Sequence, residues 1–87
     1  MPYKIVVKAS ARKEIERLPV NVTEAIDKKI TMLADNPRLI GSVKLSGFIN
    51  LYRVRVMDYR IVYSIHDEII VVEIIKIAHR KEIYKHL

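Results

Sequence analysis

The second half of the chain carries side chains suited to phosphate chemistry: Arg53, Arg55 and Arg60, then His79, Arg80 and Tyr84. In Leu51-Tyr52-Arg53-Val54-Arg55-Val56 the two-residue period of a strand sends Tyr52, Val54 and Val56 to one face and Arg53 with Arg55 to the other. The same period in Tyr59 to Ile65 groups Tyr59, Ile61, Tyr63 and Ile65, and leaves Arg60 with Val62 and Ser64. If both apolar faces meet helices, the arginines converge on the exposed side. Planar guanidiniums suit bidentate recognition of phosphate oxygens and keep their charge when desolvated. Like charges on neighbouring strands repel, so the cluster costs stability unless an anion or an acidic partner fills the space between them. The arginines alone leave a second reading open, a solvated face that protects an edge strand from aggregation.

His79, Arg80 and Tyr84 follow a strongly apolar run. Taken singly, the tyrosine reads as packing and the histidine as surface. Beside an arginine cluster they gain a chemical reading. A tyrosine ring stacks on a base and its hydroxyl exchanges a proton, and a histidine or arginine serves the leaving group. No competing catalytic set is present: the chain has no cysteine, its three histidines (His66, His79, His86) are scattered, and neither a glycine-rich phosphate loop nor metal-ligand spacing occurs. No metal and no cofactor is therefore expected. RNA cleavage needs neither, because the ribose 2′-hydroxyl beside the scissile phosphate is itself a nucleophile.

The elements that must position these residues are legible in outline. Tyr3 to Val7 alternates as a first strand. Ser10 offers an N-cap, and Ala11, Ile15 and Leu18 recur at helical spacing until Pro19. Val22, Ala25, Ile26, Ile30 and Leu33 restate that period up to Asn36-Pro37, so the two helices form a hairpin. The only glycines, Gly41 and Gly47, mark a loop-rich connection with a short strand near Val43 to Leu45. Extended runs follow at Leu51 to Val56, Tyr59 to Ile65 and Ile69 to Ala78, and their tight connections predict antiparallel neighbours. The last run is apolar at almost every position, which predicts a central strand covered on both faces. The order predicts an α+β fold: a helical hairpin on a small, mainly antiparallel twisted sheet, β-α-α-β-β-β with a short C-terminal helix or tail.

With 87 residues, 51% hydrophobic and 30% charged, the chain is expected to form one domain over 1–87. A net charge of +6 invites an anionic partner. Between Pro37 and Ile65 the basic residues Arg38, Lys44, Arg53, Arg55 and Arg60 face only Asp58, a local positive field. No stretch is long and apolar enough to span a bilayer and Met1-Pro2-Tyr3-Lys4 lacks a signal-peptide pattern, which predicts a cytoplasmic protein without a membrane partner.

Three segments carry a family resemblance: Leu51-Tyr52-Arg53-Val54-Arg55-Val56, Asp58-Tyr59-Arg60-Ile61-Val62-Tyr63 and His79-Arg80-Lys81-Glu82-Ile83-Tyr84. Together with Leu18-Pro19, Asn36-Pro37-Arg38 and Lys44-Leu45-Ser46-Gly47, they make the chain resemble the RelE/ParE toxins of type II toxin–antitoxin systems over nearly its whole length. The resemblance implies a metal-independent endoribonuclease that cuts mRNA in the ribosomal A site. Arg53, Arg55 and Arg60 would take the basic strand positions and Arg80 and Tyr84 the C-terminal pair, beside which the residues themselves offer His79 as a weaker candidate for proton transfer. Arg53 and Arg55 stand where the best-known RelE-type sequences carry lysines. Arginine does not deprotonate near neutral pH, so these positions are expected to bind phosphate rather than move protons. ParE-like members poison DNA gyrase without nuclease activity, which is the alternative. The implied partners are a cognate acidic antitoxin, the ribosome and its mRNA, with DNA met only through the antitoxin.

Overall fold

In a computed structural model, residues 2–83 are described. The elements run β1 (Lys4–Val7), α1 (Ala9–Glu16), α2 (Val20–Asp35), β2 (Val43–Lys44), β3 (Leu51–Val56), β4 (Tyr59–His66), β5 (Val71–His79) and α3 (Arg80–Ile83). The five strands form one sheet in the order β1-β5-β4-β3-β2. All pairs are antiparallel except β1 with β5, which is parallel. A parallel neighbour needs a long crossover, and α1 through β4 supplies it.

α1 and α2 cover one face of the sheet. Ala11 of α1 and Val22, Ile26 and Leu33 of α2 are buried against Val54, Val56, Ile61, Tyr63, Ile65, Val72, Ile74 and Ile77, with Ile15 and Leu18 packed on the margin. The alternation expected of β3 and β4 is therefore observed, since each of these strands sends its apolar set into this core. Ser10 lies inside α1 rather than at its cap; the helix starts two residues earlier than a Ser10 cap would set, at Ala9 after Lys8, and no side chain caps it.

A β-bulge decides the faces of β5. Val62 pairs with Lys76 and Tyr63 with Ile74, so Ile75 is the extra residue. Without it, Ile74 and Lys76 would share a face. With it, Ile74 and Ile77 both reach the core and Lys76 moves to the opposite side. The strand starts at Val71 rather than Ile69, and Ile69 and Ile70 are exposed in the preceding turn, Ile70 at φ 54°. The face turned away from the helices is covered only in part, by a small cluster in which Leu45 packs on Val62 and Ala78.

A candidate phosphate-binding face

The register brings the arginines together. Arg55 lies directly opposite Arg60, and Arg60 in turn opposite Ala78, so one row crosses β3, β4 and β5. The next row runs Arg53, Val62, Lys76. Directly opposed residues on antiparallel strands share a face, with Cβ atoms about 5 Å apart. Arg53, Arg55, Arg60 and Lys76 therefore project from the face that the helices leave uncovered. At the end of these rows the backbone N–H of Arg80 donates to the carbonyl of Asp58 at 2.8 Å, which places the start of α3 beside the β3–β4 turn.

Local contacts hold the cluster. Met57 adopts φ 55°, a left-handed conformation that closes the two-residue turn Met57-Asp58. Arg55 Nε donates to the Met57 carbonyl at 2.8 Å, and its guanidinium lies 3.8 Å from the Asp58 carboxylate. Arg60 is half-buried and Nη1 donates to the Tyr59 carbonyl at 3.3 Å. Asp58 is the one acidic residue of the Pro37–Ile65 stretch, and it relieves part of the repulsion between Arg55 and Arg60. A site so arranged can hold phosphate oxygens between rows of cations on a rigid sheet.

Not every candidate joins it. His79 pairs with Tyr59, and so lies on the helix-covered side, its ring edge-on to Tyr59 with centroids 5.5 Å apart. Its Nδ1 accepts from the backbone N–H of Lys81 at 3.3 Å. Tyr84 lies outside the described residues.

The positive field of the middle segment also divides. Lys44 pairs with Tyr52 and shares its face, away from the arginines. Arg38 forms a bidentate pair with Asp67, at 2.8 and 3.2 Å, and stacks over Tyr52 with its guanidinium carbon 5.7 Å from the ring centroid. Tyr3 donates to the same carboxylate at 2.7 Å. Hydrogen bonding from Arg38, then from Tyr3, holds the Asp67 carboxyl down at about 2. The clasp ties the N-terminus, the loop after α2 and the β4–β5 turn together. Below it Tyr52 stacks on Tyr63, whose buried hydroxyl donates to the Pro37 carbonyl at 2.7 Å; burial raises the pKa of that phenol. Arg38 thus serves the fold, and sequence proximity to the other arginines concealed it.

Lys76 is the residue that the strand period assigned to no site. Its place on the arginine face follows from the bulge, which has no signature in the run Val71 to Ala78. Among the described residues no group of three or more His, Cys, Asp or Glu side chains is placed to hold a metal ion.

The fold is thus a small α+β domain, with a helical hairpin on one face of a mixed sheet and basic side chains gathered on the other. The family model for the ParE toxin of type II toxin–antitoxin systems, parDE, matches residues 5–84. Toxin RelE of Mycobacterium tuberculosis is 34% identical over 85 residues, covering 97% of this chain and 88% of that protein. The mRNA interferase toxin RelE of Escherichia coli is 32% identical over 88 residues, covering 97% and 92%. The crystal structure of the intact Escherichia coli RelBE toxin–antitoxin complex contains a chain that matches with TM-score 0.80 and 30% identity, over 88% of this chain and 95% of that one. The chain belongs to the RelE/ParE toxin family of type II toxin–antitoxin systems.

Proposed function

We propose that residues 1–87 form a single toxin domain that cleaves mRNA in the ribosomal A site, in the cytoplasm and without a metal. The observation that carries this reading is the row Arg55–Arg60 with Arg53 beside it on the open face of the sheet, and the backbone of Arg80 hydrogen-bonded to the turn at its end. The similarity to a relative named as an mRNA interferase supports it. In the reaction the ribose 2′-oxygen attacks the adjacent phosphorus while its proton leaves to a base. The bond from phosphorus to the 5′-oxygen breaks, and that oxygen takes up a proton. A 2′,3′-cyclic phosphate and a 5′-hydroxyl result. Arg53, Arg55, Arg60 and Arg80 hold the phosphates and the charge that develops on the non-bridging oxygens, where fixed donors lower the barrier most. Tyr84 stacks on or activates the substrate. His79, across the sheet from the arginines, is left with at most an indirect part in proton transfer.

The partner we propose is an acidic, RelB-like antitoxin, on the strength of the similarity to the RelBE complex. Ordering of a partly disordered segment on the toxin would bury more than about 1,200 Å². DNA is met through the antitoxin. No helix among the described residues is long and apolar enough to cross a membrane.

Purified protein added to ribosomes programmed with a defined message tests the reading: primer extension should show new 5′-ends within the A-site codon. Intact message at every protein concentration sinks it. The family model's description favours a second reading, inhibition of DNA gyrase. Pulse-labelling of cells after induction separates the two: translation stops first for an RNase, whereas a gyrase poison breaks DNA while protein synthesis continues.

A further inference from the structure

A second basic region lies at the edge of the sheet where β1 has ended. β1 covers β5 only from Val71 to Ile74, and beyond that point α1 lies against β5. Between them opens a cavity of about 450 Å³ lined by Lys8, Ser10, Lys13, Glu14, Arg17 and Lys76 with Ile75. An adjoining cavity of about 300 Å³ shares Glu14 and Arg17 and reaches His79. Ser10, Lys13, Glu14 and Arg17 recur at intervals of three and four, one face of α1, while Ala11 and Ile15 turn to the core.

The one carboxylate lining the larger cavity is engaged, and the smaller cavity also takes in Glu82. Glu14 Oε1 accepts the N–H of Ile77 at 3.0 Å, satisfying a strand group that β1 does not reach, and Oε2 lies 3.5 Å from Lys76 Nζ. Lys76 and Glu14 offset each other, and Lys8, Lys13 and Arg17 are the surplus cations of this lining. The groove also continues the arginine face. Lys76 stands in the row Arg53–Val62–Lys76, about 10 Å from Arg53 across two strand spacings, and its amine curls over the sheet edge to Glu14.

We infer that this groove binds the sugar-phosphate backbone of single-stranded RNA, as an extension of the arginine face that holds nucleotides flanking the scissile phosphate. The inference rests on the RNA-directed reading above. The occupant follows from the lining. A protein segment gains its affinity from apolar and aromatic anchors buried at the centre of a contact, and the larger cavity offers only Ile75. Phosphates require only cations, and Lys8, Lys13 and Arg17 supply them in surplus over the Glu14–Lys76 pair. The N-terminus of α1, without a side-chain cap or an acidic residue in its first turn, adds its dipole beside Lys8.

The test is binding of a 2′-O-methyl RNA oligonucleotide, whose blocked 2′-oxygen prevents cleavage, followed by fluorescence anisotropy over a range of salt concentrations. For single strands the slope of log affinity against log salt changes by about 0.7 for each phosphate contact. The double variant Lys13→Gln/Arg17→Gln, both exposed positions, should therefore lose about 1.4 from the slope while its thermal unfolding midpoint stays that of the parent. Arg55→Gln/Arg60→Gln should lose a similar amount independently. If only the second pair lowers the slope, the groove inference is overturned and the arginine face stands. If the Lys13/Arg17 pair leaves RNA binding intact but weakens the antitoxin complex, the groove belongs to an acidic protein and the inference is again overturned. If the parent shows no salt-dependent binding of the oligonucleotide, the inference is overturned, while the RNA-directed reading is decided separately by cleavage of ribosome-bound message.

Discussion

Arg55 of β3 lies directly opposite Arg60 of β4, on the face of the sheet that α1 and α2 leave open. Two like charges on such a pair destabilise the strands unless a counter-charge is near. Asp58, 3.8 Å from Arg55, relieves part of this, and a bound phosphate would relieve the rest. In the proposed reading, the pair is where substrate binding and fold stability meet.

Removing one of these donors should be felt in the chemistry. Arg60→Ala is expected to slow cleavage of ribosome-bound message by about 10²–10³-fold, the usual effect of losing one preorganised donor at a developing charge. His79→Ala, across the sheet, should slow it far less. Single-turnover rates at saturating protein decide: equal losses for the two variants would remove the basis for assigning the open face as the site.

The carboxylate of Asp67 gives the fold an acid limit. Its pKa falls from 3.8 to about 2 because Arg38 and Tyr3 bond the ionised form. A group whose folded value is depressed contributes stability above its unfolded value, and that contribution is lost as pH falls through the folded one. The parent should therefore lose thermal stability between about pH 4 and pH 2 more steeply than Asp67→Asn, which has no such carboxylate to protonate. Parallel melting curves for the two proteins across that window would contradict the clasp.

Tyr63 links the sheet to the loop after α2. Tyr63→Phe keeps the ring stacked on Tyr52 but leaves the Pro37 carbonyl without its donor, and Pro37 is buried. A loss of about 1–2 kcal/mol in chemical denaturation is expected, with little change in the denaturant slope.

Ile26 is fully buried between α2 and the sheet. Ile26→Ala should cost about 2–5 kcal/mol, through lost transfer free energy plus the cavity left behind. A cost below 1 kcal/mol by equilibrium unfolding would mean that α2 does not pack on this face.

Much of this protein was legible before any coordinates. Alternation in Leu51 to Val56 and Tyr59 to Ile65 determines which side of each strand is apolar, because side chains alternate strictly along an extended chain. The arginine face follows from residue types alone, as do the helical hairpin and the antiparallel pairing across Met57-Asp58. Long-range register was a matter for the tertiary structure. The bulge at Ile75 is a relation between two strands, so no local pattern in β5 marks it, yet it sets Lys76 on the same face as Arg53 and lets Ile77 join the core. The parallel pairing of β1 with β5, more than sixty residues away, leaves half of β5 to α1 and so creates the basic groove. The partners of Arg38 and His79 were decided in the same way. Each stands near the other candidates in sequence, and each was drawn to a different face, Arg38 by Asp67 and His79 by its pairing with Tyr59. Spacing along a chain specifies faces; which faces meet depends on how distant segments share one core.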